Sequence, residues 1–342
     1  MKTLRIVPII ATCLLVAGCS PAVQEKTEEA LNMGNAEPAD SPVATQPSGE
    51  VIEAPAITDI DAAGDVLGVR FADSLKIGEL AAFRSDKTQT IDVDASAADI
   101  SANNDRFAIV RADANEVELI DASSGKTAAR VPVGEEVTVA APLTGDSIVA
   151  GSDATERVWV YSADGTEEST FKVARPTDYM LSQSLSDEDR VVRVNRFDTT
   201  IQDIHVSKAR QGGTLRIGYG VGKVAFGDDG VVLAADATGN RLLIYTTDEV
   251  VRLHQMVPTD GRPWAVAWDS KRKLAWVTST ENNTVVGYDI SQGVPLEKMR
   301  FNTVTSPQSL AVVSDGTLVI GSATGDGLQV INPDNSDTAV KE

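Results

Sequence analysis

Leu242-Leu-Ile-Tyr245, running into the polar Thr246-Thr-Asp-Glu249, is a short apolar strand signal closed by a turn. The same figure recurs at Leu80-Ala-Ala-Phe83, Val117-Glu-Leu-Ile120, Val158-Trp-Val-Tyr161, Ile201-Gln-Asp-Ile204, Val285-Val-Gly-Tyr288 and Leu328-Gln-Val-Ile331. Successive copies end 37, 41, 43, 41, 43 and 43 residues apart. A period of about 40–45 residues is that of a four-stranded propeller blade, and sandwiches do not hold such a period through seven copies. No long run shows a 3.6-residue apolar period, so helices have little place.

Each copy carries the same internal order. A first strand meets a tight turn at Asn103-Asn-Asp105, Thr144-Gly-Asp146, Asp187-Glu-Asp189, Gly227-Asp-Asp-Gly230, Asp269-Ser-Lys-Arg272 or Ser314-Asp-Gly316. Asn, Asp and Gly supply the backbone geometry such turns need. A second strand follows, as in Phe107-Ala-Ile-Val110, Val231-Val-Leu-Ala234 and Ala275-Trp-Val-Thr278. A polar loop, the quoted third strand and a fourth strand complete the unit. After Ile331 no convincing fourth strand remains. Val51-Ile52 or Ala56-Ile57 is therefore expected to complete the last blade and close the ring, which removes an open edge. The fold class expected is all-β: a seven-bladed β-propeller over 51–342, preceded by a signal peptide and a disordered tether.

Two copies carry a family resemblance. Ile100 to Gly134, with Asn103-Asn-Asp-Arg-Phe-Ala-Ile-Val110 and Asp121-Ala-Ser-Ser-Gly125, resembles a YVTN-type repeat of YncE-like propellers. Arg262-Pro-Trp-Ala-Val-Ala-Trp-Asp269, continuing from Trp276 to Asp289, is a second such copy. The resemblance spans roughly residues 60 to 335 and is weakest around Ile201. The turn Asp121 to Lys126 is also similar to quinoprotein repeats, but Ala129 or Arg130 stands where those carry a tryptophan.

The first residues read as an address. Lys2 and Arg5 precede a largely apolar run from Ile6 to Ala17. That is the layout of a secretory signal, too short for a comfortable membrane span. Leu15-Val-Ala-Gly-Cys19 resembles the lipobox of bacterial lipoproteins. The resemblance implies a signal peptide over 1–18, cleavage after Gly18, and a diacylglyceryl and palmitate-bearing Cys19 as membrane anchor. Cys13 would leave with the signal, so no intramolecular disulfide could form among the two cysteines. Two or more acyl chains hold stably, at about 0.8 kcal/mol per buried methylene. Residues 19–50 then form a flexible linker: Pro21, Pro38, Pro42 and Pro47 sit among small and polar residues. Such a segment buries too little to offset its ordering entropy.

Charge and residue counts exclude several functions. The 342 residues hold 30 Lys and Arg against 50 Asp and Glu, a net charge of −20. Losing Lys2 and Arg5 takes this to −22. Nucleic-acid binding needs a basic face and is not expected. His205 and His254 are the only histidines, which speaks against a histidine-based zinc site. No Gly-x-Ser-x-Gly elbow is present. Gly218-Tyr-Gly-Val-Gly222 precedes a strand, so it is not a dinucleotide loop. No cofactor, resident metal or catalytic residue is assigned.

Two loop sets carry the candidate residues. Asp113 and Glu116, Asp153 and Glu156, Asp198, Asp236 and Asn240, Asn282 and Asn283, and Asp326 recur between second and third strands. They read either as a polar ring for a cation, sugar or basic partner, or as local backbone caps. The other set carries Arg175, Tyr179, Tyr219, Arg262 and Trp264, the residue types that anchor interfaces. Trp264 and Trp268 also fit blade packing. The function expected is an exported, membrane-anchored lipoprotein of the cell envelope. As a monomer, it would act as a binding or scaffold module for an envelope protein or a glycan. The alternative is a lactonase-like, metal-assisted hydrolase with carboxylates in the central funnel.

Overall fold

A computed structural model describes residues 33–95 and 97–335. The expected signal peptide and the expected lipid-bearing Cys19 lie outside the described residues. Seven four-stranded antiparallel sheets follow one another along the chain. Blades 1 to 6 use strands within 59–92, 101–132, 139–172, 179–216, 221–258 and 263–302. Blade 7 takes three strands from 307–331, and its fourth is Glu50–Ile52. That strand runs antiparallel to Leu328–Ile331, with Val51 opposite Gln329. The ring is thus clasped by an N-terminal strand.

The turn chemistry explains the regularity. Asn104, Asp146 and Asp229 adopt left-handed backbone between first and second strands. Asn115, Asn240 and Asn283 do so between second and third strands. Asn and Asp tolerate that region better than other side chains with a Cβ. The second and third strands are buried on both faces, because neighbouring blades sandwich them. Ile148–Gly151 and Leu274–Ser279, for example, are buried throughout. Fourth strands alternate and face solvent, as in Glu167–Lys172. Trp276 is fully buried and stacks on Phe301 with centroids 5.9 Å apart. Full burial of each large apolar side chain contributes about 1.5–3 kcal/mol.

Blade 1 departs from the expected repeat. Leu80–Arg84 is a short helix, and the third strand is Ser74–Glu79, with Leu75 and Ile77 buried. Moving the marker to Glu79 restores a spacing of 41 residues to Ile120. Leu, Ala and Arg are strong helix formers, and a four-residue apolar run has no period to oppose them. Among the described residues no helix is long and apolar enough to cross a membrane.

Residues 33–49, expected to belong to the flexible linker, are instead held against the ring. Ala39 N–H donates to Thr280 Oγ1 (3.0 Å) and Ala44 N–H to Thr305 Oγ1 (3.0 Å). Ser48 N–H donates to the Asn302 carbonyl at 3.0 Å. Backbone hydrogen bonding, rather than side-chain burial, orders this segment.

Candidate functional site

The inner strands of all seven blades surround a central channel of about 450 Å³. Small-ligand sites occupy about 300–1,000 Å³, so the volume is suited to one. Charged groups cluster where the inner strands begin. Lys223 stands third in Val221–Phe226 of blade 5, among apolar neighbours. Its Nζ reaches across the channel to Asp59 Oδ1 of blade 1 (3.0 Å) and to Asp99 Oδ2, on the loop leading into blade 2. The same Nζ lies 5.5 Å from the ring centroid of Tyr179 in blade 4. Arg196 approaches that ring at 5.9 Å. Four blades therefore meet around one ammonium.

Neighbouring backbone fixes the carboxylates. Asp61 accepts from the N–H groups of Ala62 (2.9 Å) and Ala102 (2.7 Å), tying blade 1 to blade 2. Arg70, opposite Asp59 in the sheet, is buried and donates to the carbonyls of Phe71 and Asp94. At the other end of the same strands, Asn103 Nδ2 donates to the Pro142 carbonyl (2.9 Å) and to Ser184 Oγ (3.0 Å). These bonds join blades 2, 3 and 4.

Burial, reinforced by Asp99 and opposed by Lys223, pushes Asp59 up to about 7. Burial pushes Asp61 up to about 6 against the pull of the two N–H donors. Burial draws Lys223 down, but Asp59 and Asp99 outweigh it and hold its pKa well above the usual lysine value. Lys223 thus remains an ammonium at neutral pH, while Asp59 titrates there. Perturbed carboxylates in a concave site mark functional candidates.

The sign of the resulting pH dependence is fixed. A carboxyl whose folded pKa is raised holds more protons folded than unfolded between the two values. Stability therefore falls as pH rises from about 4 to about 7, the window set by Asp59. Urea denaturation at pH 5, 6 and 7 will show this fall, and Asp59→Asn will flatten it. Equal slopes for wild type and Asp59→Asn would remove Asp59 from the account.

The loop carboxylates are engaged locally. Buried Asp236 accepts from the N–H groups of Tyr219 (2.9 Å), Gly220 (3.1 Å) and Gly239 (2.9 Å) through Oδ1. Asp198 pairs with Arg175, and Asp326 accepts from Thr324 Oγ1 at 2.7 Å. These groups hold their own loops. His205 lies 3.2 Å from Asp203 on the blade 4 rim, away from the channel wall. Among the described residues no group of three or more His, Cys, Asp or Glu is placed to hold a metal ion.

The predicted binding residues occupy different settings. Arg175 is exposed and ion-paired with Asp198. Tyr179 lines the channel. The ring of Tyr219 lies against Arg241 at 5.5 Å, and its carbonyl accepts from Gly34 N–H at 3.3 Å. Trp264 is 6% exposed and packs with Ala36 and Ala237, beneath the N-terminal segment. Arg262 is exposed, and its carbonyl accepts from Thr280 N–H at 3.2 Å. Only Tyr179 belongs to the charged channel cluster. Asp59, Asp61, Asp99 and Lys223 escaped the sequence reading. Their one local signal is Lys223 itself, a charge inside the apolar Val221-Gly-Lys-Val-Ala-Phe226.

No protein-family model matches the chain, and no curated protein sequence matches it. Solved structures do. A chain of a mitotic checkpoint complex aligns with a TM-score of 0.68 at 12% identity, over 94% of this chain and 98% of that one. A chain of the hydrazine synthase of Kuenenia stuttgartiensis aligns at 0.61 and 13%, over 84% and 97%. A streptogramin B lyase aligns at 0.63 and 12%, over 83% and 96%. At these identities the likeness is one of fold: a seven-bladed propeller, shared by enzymes and by subunits of assemblies.

Proposed function

We propose that this chain is an exported binding module of the bacterial cell envelope, anchored by lipid on Cys19, whose ring takes a glycan end at the channel mouth. The observation that carries the reading is the convergence of Lys223, Asp59, Asp99 and Tyr179 from separate blades on a 450 Å³ channel. A rigid ring with a concave polar centre suits a hydroxyl-rich ligand: carboxylates accept from hydroxyls, and an ammonium donates to them. Of the five expected binding residues only Tyr179 lines the channel, which favours a ligand held there. The carboxylates also argue against a metal-assisted hydrolase. Asp59 and Asp99 close on Lys223, and Asp61 on two backbone N–H groups.

Titration of envelope-derived oligosaccharides into the full-length protein in detergent tests the reading by calorimetry. We expect Tyr179→Ala to weaken binding about tenfold, which is about 1.4 kcal/mol. The exposed Arg262→Ala should leave it unchanged. Failure of every saccharide to bind would sink the proposal. Cys19→Ser should move the protein out of the membrane fraction, and retention there would remove the lipid anchor.

A further inference from the structure

We infer that the loop face of blades 4 to 7 is an extended-peptide groove, filled in the structure by the chain's own residues 33–49. The ring reads this segment mainly through its backbone, joined by two side chains: Ser41 Oγ donates to the Thr280 carbonyl, and Ser48 Oγ accepts from Asn302 N–H at 3.2 Å. Arg196 donates to the Ala36 carbonyl at 2.8 Å. Thr280 Oγ1 and Thr305 Oγ1 accept from Ala39 and Ala44 N–H groups, both at 3.0 Å. Asn283 Nδ2 donates to the Pro42 carbonyl, and Gln329 Nε2 to that of Ser48 at 2.7 Å. Thr280, Thr305 and Asn283 are buried, with the segment as part of what they bond. Asn282 and Asn283 belong to the loop carrying the repeated amides noted above, and Asn283 uses its amide here.

Side-chain burial is confined to one seat. Ala36 is 4% exposed and packs with Trp264 and Ala237, whereas Val43 is 82% exposed. A Cβ on Gly220 would stand 3.0 Å from the Ala36 methyl, so the seat fits a small residue closely. Pro38, Pro42 and Pro47 lack the N–H that a regular sheet would need, and so keep the segment extended without making it a strand. The ligand class follows: an extended peptide of small residues interrupted by proline, with alanine at the seat. A partner segment of that chemistry would enter by displacing the resident one. The groove meets the channel cluster only at Arg196, which also lies 5.9 Å from the Tyr179 ring, and the peptide reading does not depend on the glycan reading.

The test uses the full chain carrying Ala36→Arg, which should unseat the segment, and a dye-labelled synthetic peptide of residues 33–49. Acrylamide quenching should increase as Trp264 is uncovered. The peptide should bind this variant at least tenfold more tightly than wild type, because the resident segment competes at high effective concentration. The same peptide with Ala36→Arg should not bind. If Ala36→Arg disturbs folding, the full chain with both Thr280→Val and Thr305→Val opens the groove away from the seat. Unchanged quenching, no peptide binding to either opened variant, or equal binding of both peptides would overturn the proposal. Elution of the opened variant as a dimer would give the groove to a second copy instead of a partner, and would overturn it too.

Discussion

Replacing Lys223 by Met is expected to destabilise the ring by about 3 kcal/mol at pH 8, the low end of what removing one partner of a buried ion pair costs. The low end applies because the Lys223 side chain is 17% exposed and Asp99 is 32% exposed, so water screens part of the loss. Met matches the length of the aliphatic stem, so the loss is one of charge rather than volume. Without the ammonium, Asp59 and Asp99 are left side by side on one wall of the channel with Asp61 nearby. The influence that lowers the Asp59 pKa is then gone, while burial and Asp99 still raise it. Asp59 must move up, and the fall of stability with pH must extend above 7. Urea melts at pH 6 and pH 8 will therefore show a larger deficit at pH 8. In the Asp59→Asn background, Lys223→Met should cost less, with a coupling of about 1–2 kcal/mol in a double-mutant cycle. A deficit below 1 kcal/mol at both pH values would mean that the ammonium is not what holds the carboxylates.

The parts of the molecule legible in the sequence are those set by local rules. Asn104, Asp146 and Asp229 adopt the left-handed backbone their turns need, and a left-handed residue stands at that turn in six of the seven blades. Apolar second and third strands fall between them, so seven blades can be counted from spacing alone. Blade 1 kept the count but misplaced its third strand, because Leu80-Ala-Ala-Phe83 is apolar but too short to declare a period. The charged cluster was hidden for a different reason. Asp59, Asp99, Tyr179 and Lys223 lie 40 to 164 residues apart, and only ring closure brings them together. No spacing rule reaches that far. Residues 33–49 were misread because composition reports what side chains can bury. This segment buries one alanine and is held by its backbone, to which composition is blind. The five loop residues chosen by type scattered, because Arg, Tyr and Trp serve packing and ion pairing as well as binding.

The clasp of the ring is expected to fail at Gly49. Its φ of +72° lies in the left-handed region, and a Cβ there would stand 2.3 Å from the Val330 carbonyl oxygen. That oxygen belongs to backbone and cannot swing aside. Gly49→Ala therefore combines a strained φ, at about 1–3 kcal/mol, with overpacking of similar size. We expect a total of about 2–4 kcal/mol, because movement of one strand relieves both together. The strand that moves is Glu50–Ile52, only three residues long. Its other supports are the two-way bonding of Ser48 with Asn302, Gln329 to the Ser48 carbonyl, the packing of Ile52 against the core of blades 7 and 1, and the Arg84–Glu50 pair at 2.9 Å. Glu50→Ala is the control, since that pair is exposed and an exposed pair contributes at most about 1 kcal/mol. Detachment would leave Leu328–Ile331 as an unpaired apolar edge, open to pairing with other chains. Hydrogen exchange provides the readout. In Gly49→Ala the amides of Leu328 to Val330 should exchange at least tenfold faster than wild type, while those of Leu274–Ser279 in blade 6 keep their protection. Equal acceleration in both blades would show that the ring opens as one unit, and unchanged exchange at Leu328 to Val330 would show that the clasp bears none of the closure.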